Sequence, residues 1–486
     1  MRKEGMQNMG NSKPSAAAGA WSASTWAALI TIVAMTFMEV LDGTIVNVAM
    51  PTIQRELGVD LASVQWLGSV YMIIMCAGLL VFGRLGDMFG KVLMFRMGVL
   101  VFTLGSLLCG ISSTFEMLFV ARAVQAVGGA ASLAVNMGII TEIFPSGRGK
   151  ALGIVATFTA LGAMAGPTIG GVMVAALPWE SIFWINVPVG LAAFAASVKV
   201  LANVRPAERR RFDMVGAVLL VPCIMLLFLG LTLLQRGITP TVAMVLAVAV
   251  ILLALFVVAE GRASEPLVPM GVFRDLRFDI DLITMVLVFL ALSGYNIVLP
   301  YYLQDARGMA PGLSGLVMAC YPLVNAVVGP MAGSLSDRIG GERLTMVAQF
   351  IYAAGLALLS FVGLDTSIPL LIATIMFTSL GSALFQAPNN SLIMGHASKE
   401  HLGFVGSLGN LMRYLGQSLG IVVGMGVLMG AMSAAAGQTV TAYVPGRPDI
   451  FMAGMQTSYR VLAAIVLTGA VLSVVRDIMR RKQEGR

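Results

Sequence analysis

The segments GRLGDMFGK (residues 83–91) and GSLSDRIGG (residues 333–341) carry the same residue types at four matching positions. The matching pairs share one offset along the chain: Gly83/Gly333, Leu85/Leu335, Asp87/Asp337 and Gly90/Gly340. Each segment follows the second long apolar run of its half, and the first runs end in NVAMP and NIVLP. Agreement at equivalent places in two series of apolar runs predicts a parallel duplication of one helical unit.

Apolar runs of about 20 residues, the length that crosses a bilayer, recur along the whole chain. Of the 486 residues, 58% are hydrophobic and 11% are charged, whereas an ordinary soluble domain carries about 25% charged residues. We count fourteen such runs. A β-barrel is excluded, because its strands would be roughly ten residues of alternating polarity. The sequence therefore predicts an all-α membrane protein with fourteen spans.

Most of the 31 Lys and Arg residues, including Arg476 near the C-terminus, fall in loops on the side that also carries both termini. The loops on the opposite side hold Arg55, Arg236, Arg307 and Arg447. Since cytoplasmic loops are enriched in Lys and Arg, we expect both termini to be cytoplasmic, and we call their side the basic side. The net charge of +7 is then a topology signal, and it indicates no nucleic-acid partner.

The duplication divides the chain into five predicted parts. They are a cytoplasmic tail (1–25), a six-helix bundle (26–201), a linker with two additional spans (202–280), a second six-helix bundle (281–476) and a cytoplasmic tail (477–486). Parallel six-span repeats place a transport site near the membrane midplane between the two halves.

Two carboxylates interrupt the first apolar run, in MEVLDGTIVNVAMP (38–51). Glu39 and Asp42 are three residues apart and share one helix face, and an acid at that depth costs several kcal/mol unless it is paired, hydrated or protonated. Arg122 enters the fourth span at a similar depth, with Gln125 on the same face. We predict a pair between Asp42 and Arg122 that opens when the carboxylate takes up a proton. The alternative is a permanent structural salt bridge.

Five segments together resemble motifs of the major facilitator superfamily, and specifically of its fourteen-helix drug:proton antiporter family. They are LDGTIVNVAMP (41–51), GRLGDMFGK (83–91), ARAVQAVGGAA (121–131), GAMAGPTIGG (162–171) and WESIFWINVPVG (179–190). The sequence departs from the family pattern at Ala126, where Gly is usual, at Glu180, where Arg is common, and at Gly341, where a base is usual. The resemblance implies the major facilitator fold, with two six-helix bundles in a pseudo-two-fold arrangement and two additional central-linker helices.

The resemblance also implies residues that control the conformation. Gly83, Asp87, Gly90 and Lys91, with Asp337 in the second half, would form a charge latch that holds the basic side closed. A capped turn without that role is the alternative. The fifth-helix residues Gly162, Gly166, Pro167, Gly170 and Gly171 would form a packing seam that hinges or seals during transport, although any close-packed helix pair could use such a seam.

Polar and aromatic side chains within the spans are candidates for a substrate cavity. Besides Gln125, they are Tyr295, Asn296, Tyr321, Asn325, Asn410, Arg413 and Gln417. Asn410, Arg413 and Gln417 lie at i, i+3 and i+7, hence on one helix face. Structural roles are the alternative for each of them.

The predicted function is proton-coupled antiport in a cell (inner) membrane, exporting lipophilic, cationic drugs or toxic compounds. Export of an endogenous lipid, siderophore or metabolite is the alternative, and a membrane-embedded enzyme or a channel is less favoured. We expect no cofactor and no metal, since the proton gradient drives transport and no P-loop or metal-ligand cluster occurs. The expected partners are a small lipophilic substrate, protons and the lipid bilayer. We expect a monomer, and the sequence leaves open whether a periplasmic partner completes export.

Overall fold

The protein is built from α-helices in this computed structural model, which describes residues 21–59, 61–145, 147–202, 213–234, 238–263, 268, 270–309, 311–398, 401–440, 444 and 446–484. The first bundle contains α1 (Ala23–Leu57), α2 (Leu61–Phe89), α3 (Lys91–Gly110), α4 (Phe115–Ile143), α5 (Arg148–Ala176), α6 (Ser181–Trp184) and α7 (Asn186–Val200). The linker contributes α8 (Met214–Leu234) and α9 (Pro240–Glu260). The second bundle contains α10 (Leu276–Tyr301), α11 (Pro311–Ile339), α12 (Gly341–Leu359), α13 (Ile368–Gly395), α14 (Leu402–Ala436) and α15 (Pro448–Glu484). The all-α prediction is confirmed.

Both predicted tails overlap with helices at the ends of the chain. Residues 1–20 and 485–486 lie outside the described part. Within it, α1 already begins at Ala23 and α15 continues to Glu484, so helix extends into both segments that the sequence analysis assigned to tails.

Among the described residues, thirteen segments are long and apolar enough to cross a membrane. The predicted span 181–201 is one of them, although it is broken into α6 and α7 at Ile185. Helix α5 corresponds to the one predicted span that is not among these thirteen. It has 29 residues and packs beside α1 and α11, so each of the fourteen predicted spans has a helix in the structure.

Short polar residues and glycines set several helix ends. Ser22 and Thr114 each accept a hydrogen bond from a backbone N–H of the first turn that follows, at the start of α1 and α4, which satisfies a donor that the helix leaves free. Gly90 and Gly340, the last glycines of the two repeated segments, precede α3 and α12 with φ of 111° and 92°. Because side chains strongly disfavour this conformation, the repeated glycines allow the same tight turn in both halves.

The two bundles pack their helices in the same pattern. In the first, α1 packs on α5, α2 on α4, and α3 on α4 and α7; in the second, α10 packs on α14, α11 on α13, and α12 on α13 and α15. Contacts between the bundles repeat in the same way: α2 packs on α14, and its equivalent α11 packs on α5, the equivalent of α14. The duplicated sequence therefore corresponds to a pseudo-two-fold arrangement.

The linker hairpin packs against the side of this pair of bundles. Helix α8 contacts α2 and α14, and α9 packs on α8. Helix α9 exposes apolar side chains such as Val250, Ile251 and Leu255, as expected of a lipid-facing helix. The limits of the five predicted parts remain a prediction.

The bundles meet on the basic side. Arg148 Nε donates to Ser391 Oγ at 3.2 Å, linking the start of α5 to the end of α13. Helices α5 and α11 come close enough there that a Cβ on Gly153 would lie 2.7 Å from the carbonyl oxygen of Gly329. The small residues thus allow close contact between the halves at this end.

Candidate functional site

Asp42 lies at the centre of a buried polar network in the first bundle. Its side chain is 0% exposed, as is that of Arg122. Arg122 Nη1 donates to Asp42 Oδ2 at 2.5 Å, and Gln125 Nε2 donates to Oδ1 at 2.9 Å. Asn186 Nδ2 also donates to Oδ1, at 2.7 Å. The predicted contact between α1 and α4 is therefore present, and the carboxylate accepts three hydrogen bonds from two other spans.

The break between α6 and α7 places Asn186 in this network. Asn186 is the first residue of α7 and follows directly on Ile185, where the span is interrupted. Its side chain is 1% exposed. Asn186 belongs to the segment WESIFWINVPVG (179–190), but its place in this network was not predicted. The feature that could have identified Asn186 from the sequence is an amide side chain in an apolar span, within a family motif.

The Arg122 guanidinium also lies over two aromatic rings. Its central carbon lies 4.3 Å from the centroid of the Tyr71 ring and 5.6 Å from that of Phe183. A cation over an aromatic face is stabilised by about 0.5–2 kcal/mol. Arg122 Nε and Nη2 have no hydrogen-bond partner among the described residues. Arg122 Nη1 also donates to Gln125 Oε1 at 2.6 Å, so the guanidinium is held by one carboxylate, one amide and two rings.

Glu39 has a different environment one turn away on α1. It is 3% exposed, and Ser132 of α4 donates its hydroxyl hydrogen bond to Oε1. No ion pair between Glu39 and a cation is present among the described residues. One acid in α1 is therefore paired with a guanidinium, while the other is held by a hydroxyl.

The glycines of α5 pack on the part of α1 that carries both acids. A Cβ on Gly162 would lie 2.8 Å from the carbonyl oxygen of Phe37, and one on Gly170 would lie 2.7 Å from Ile45 Cγ1. A Cβ on Gly166 would collide with Thr44. Gly171 lies outside this seam, because no described atom is within 4 Å of its Cβ position. The side chain of Pro167 lies outside the described residues.

The first repeated segment closes the basic side between α2 and α14. Asp87 accepts hydrogen bonds from the backbone N–H groups of Gly403 and Phe404, at 2.8 and 2.9 Å, in the first turn of α14. A carboxylate at a helix N-terminus is favoured by the helix dipole. Lys91 Nζ lies 3.2 Å from Asp87 Oδ1 and 2.8 Å from Glu142 Oε1. The predicted cap and charge pairs are present, and their role as a latch remains a proposal.

Two glycines in this contact permit the close approach. A Cβ on Gly83 would collide with Ser407 of α14, and Gly90, with its positive φ, supplies the tight turn before α3. In the second half, Asp337 occupies the equivalent place at the start of α5, because a Cβ on Gly149 would lie 2.7 Å from Asp337 Oδ1. The two repeated aspartates therefore each face the N-terminus of a helix in the other bundle.

The predicted cavity residues of the second bundle fall into separate environments. Tyr295 and Tyr321 are buried with their ring centroids 5.2 Å apart, and Asn325 Nδ2 donates to Ser379 Oγ at 2.9 Å. Asn296 is exposed on α10, and Gln417 is partly exposed on α14. Asn325 Nδ2 also donates to the backbone carbonyl oxygen of Tyr321 at 3.2 Å. Tyr295, Tyr321 and Asn325 therefore lie together, whereas Asn296 and Gln417 are more exposed.

Asn410 and Arg413 lie where α14 faces the first bundle. Asn410 Nδ2 donates to the carbonyl oxygen of Leu133 in α4, at 3.1 Å. Arg413 is 8% exposed, and its guanidinium carbon lies 5.1 Å from the centroid of the Tyr414 ring. Asn410 is thus part of the contact between the bundles, whereas no ion pair involving Arg413 is present in the described part of the chain.

A buried ion pair at the basic end of the second bundle was missed by the sequence analysis. Arg476 of α15, 0% exposed, donates to Asp281 of α10, and also to Thr345 Oγ1 at 2.7 Å. His396 Nε2 lies 3.5 Å from Asp281 Oδ2. Counting Arg476 as a loop charge was wrong about its environment. Both partners stand at the ends of predicted spans, where the sequence does not tell a buried charge from a solvated one.

The neighbouring Asp275 joins this cluster from the segment before α10. His396 Nδ1 lies 3.2 Å from Asp275 Oδ2, and Arg277 donates two side-chain hydrogen bonds to the same carboxyl. These bonds from Arg277 hold the pKa of Asp275 below its usual value. A recess of about 280 Å³ adjoins His396 and is also lined by Arg148, Asp337 and Ser391.

Comparison with known proteins places the chain among transporters. The Major Facilitator Superfamily profile matches residues 32–421 and 282–483. The chain is similar to the riboflavin transporter RibZ of Clostridioides difficile (strain 630), with 30% identity over 92% of this chain and 97% of that protein. It is also similar to the tetracenomycin C resistance and export protein of Streptomyces glaucescens, with 33% identity over 83% of this chain and 76% of that protein.

A solved structure supports the same fold. The crystal structure of the human organic anion transporter MFSD10 (TETRAN) superposes with a TM-score of 0.65, covering 92% of this chain and 99% of that one. The sequences are 15% identical, so this likeness concerns the fold alone. It confirms the predicted all-helical architecture.

Proposed function

The chain belongs to the Major Facilitator Superfamily, as a multi-pass secondary transporter of small molecules and not an enzyme, and from that premise we propose that it is a proton-coupled antiporter. The proposed substrates are lipophilic, cationic drugs or toxic compounds exported from the cytoplasm. The proposed location is the cell (inner) membrane, with both termini cytoplasmic and with the protein acting as a monomer.

The observation that carries the proposal is the pair of buried acids in α1 and their partners on α4. A charge buried within a membrane protein is costly and usually functional. Asp42 contacts Arg122, and Glu39 contacts Ser132. A permanent structural bridge would need one acid and one base. The second acid, without a cation among the described residues, supports a site that exchanges protons.

In the proposed cycle, a proton on Asp42 weakens the attraction of this carboxyl for Arg122. Arg122 then keeps its two aromatic neighbours but loses its charge partner, which favours a rearrangement of α1 against α4. The glycine face of α5 lets α1 shift without side-chain interlocking. Asp42 is the proposed principal proton carrier because its protonation changes an ion pair, and Glu39 is the secondary one.

The latch completes the proposed cycle on the basic side. The bonds from α14 to Asp87 hold α2 and α14 together, and opening toward the cytoplasm requires their loss. In the proposed cycle, an arrangement closed on the basic side belongs to the outward-facing part. Binding a proton from outside would then precede the opening of the latch.

Export of an endogenous metabolite is the second candidate. It is favoured by the similarity to a protein named a riboflavin transporter. The same proton-coupling residues serve either substrate class, because they lie in the first bundle and set the driving force rather than the cargo.

Direct flux measurement tests the proposal. Purified protein in proteoliposomes should accumulate a lipophilic cationic dye against its gradient when a pH gradient is imposed, and dissipating the gradient should stop accumulation. Riboflavin serves as the comparison substrate. Equal flux of the dye with and without the pH gradient would refute proton coupling, whereas coupled flux of riboflavin alone would favour the second candidate.

A further inference from the structure

Arg413 is a buried cation near the middle of the membrane. It is the twelfth residue of α14, about 16 Å from the helix start at 1.5 Å per residue, and the hydrocarbon core is roughly 30 Å thick. Its side chain is 92% buried, since 8% is exposed. A cation at this depth is costly unless it is paired or faces a polar space, so its surroundings decide what it does.

The helix geometry shows which way Arg413 points. With about 100° per residue, Arg413 lies between the directions of Gly409 and Asn410. Gly409 faces Ile393 of α13, and Asn410 donates to Leu133 of α4. The side chain of Arg413 therefore leaves α14 between the directions of α4 in the first bundle and α13 in the second.

A second position on α14 supports this direction. Gly406, seven residues earlier and on nearly the same face, lies against Met137 of α4 and Met394 of α13. The two helices are thus close together at the level of Gly406, toward the basic side. Arg413 stands two turns further from the closed end, on the face that looks between the bundles.

The acids available to Arg413 are few. Helices α13 and α14 contain no Asp or Glu, and those of α2 and α4 lie in their terminal turns, as Asp87, Glu116 and Glu142 do. In the middle of the spans, Asp42 is already paired with Arg122, and Glu39 is bonded to Ser132. Arg413 lies against the ring of Tyr414, and its charge also acts on Cys76 of α2. No ion pair between Arg413 and a carboxylate is present in the described part of the chain.

We infer that Arg413 is the subsite for an anionic group of the substrate, a carboxylate or a phenolate. The inference rests on the proposed function and narrows its substrate class to lipophilic compounds that carry both a positive and a negative group. Arg suits this role because its planar guanidinium binds carboxylates through two parallel hydrogen bonds. The cationic end of the same molecule would face Glu39.

Binding of a matched pair of dyes tests the inference. The probes are a rhodamine methyl ester, which is a cation, and its free carboxylic acid, which is a zwitterion with the same ring system. Fluorescence polarisation with purified protein in nanodiscs measures affinity without any need for a proton gradient. The wild type should bind the acid more tightly than the ester. Arg413→Gln should lower the affinity for the acid by about tenfold or more, the loss expected for one charge-assisted contact. The affinity for the ester should change by less than about twofold.

Two further variants separate binding from folding. Arg413→Lys keeps the charge and should retain part of the preference for the acid. Arg460→Gln removes an exposed arginine of α15 and should leave both affinities unchanged. If Arg413→Gln weakens both dyes equally, or if the wild type does not prefer the acid, the subsite is refuted. Coupled export of the ester in proteoliposomes would still support the proposed function, so the two failures are distinguishable.

Discussion

Replacing Arg122 by alanine should uncouple transport and strand a buried carboxylate. Asp42 and Arg122 are both 0% exposed, and their closest atoms are 2.5 Å apart. Removing one partner of a buried ion pair typically costs about 3–5 kcal/mol. Asp42 would keep Gln125 and Asn186 as donors, so we expect about 3 kcal/mol, to which the lost ring contacts with Tyr71 and Phe183 add up to about 2 kcal/mol.

A double-mutant cycle isolates the ion pair from the other losses. Asp42→Asn in the Arg122→Ala background removes the stranded charge, so the double variant should be more stable than the sum of the single losses by about 2 kcal/mol. Reversible denaturation in detergent micelles measures the free energies of unfolding of the wild type, the two single variants and the double variant. Additive losses would show that the two side chains do not form the buried pair seen here.

Transport gives an independent readout for the same variant. Arg122→Ala that inserts into the membrane in normal amount should let substrate equilibrate at most, with no accumulation driven by a pH gradient. Full uphill export by this variant would refute the coupling role of Arg122, even if the stability measurements confirm the pair.

Three further predictions concern the packing and the closed side. Gly166→Leu should abolish transport because the side chain would collide with α1, while Gly171→Leu, outside the seam, should retain it; equal activity in export assays would refute the seam. Asp87→Asn should weaken the hold on α14 and increase the labelling, from the basic side, of a cysteine introduced into the contact between α2 and α14, and unchanged labelling would refute the latch. Arg476→Gln should lower the free energy of unfolding by about 3–5 kcal/mol without altering the ratio of substrate affinities, and a selective loss of one substrate would contradict a structural role.

The part of the first-bundle site that depends on residue positions along a helix could be predicted from the sequence. Spacing along α1 and α4 gave Asp42 and Arg122 similar depths, and charged residues are scarce in the interior of those spans, so pairing them required little further information. Tyr71 and Ser132 were not predicted, because Tyr and Ser occur in apolar spans for packing and give no charge signal. Their importance depends on which faces of α2 and α4 meet α1, which only the packed structure provides.

The same distinction explains the second bundle. The repeated turn at Gly340 follows from sequence, since a positive φ strongly favours glycine. The contact of Asp281 with Arg476 does not, because α10 and α15 are far apart in sequence and both residues stand at predicted span ends. The scattered positions of Tyr295 and Asn296 show the related difficulty that neighbouring residues on a helix face different surroundings.

Substrate-induced proton release is the measurement that tests the central claim most directly. Purified wild-type protein at low buffer capacity should release protons when a transported compound is added. The Asp42→Asn variant should release none, because asparagine cannot bind or release a proton. The Glu39→Gln variant should still release protons. Release from Asp42→Asn but not from Glu39→Gln would reverse the two roles, and normal release from both variants would contradict proton coupling through the acids of α1.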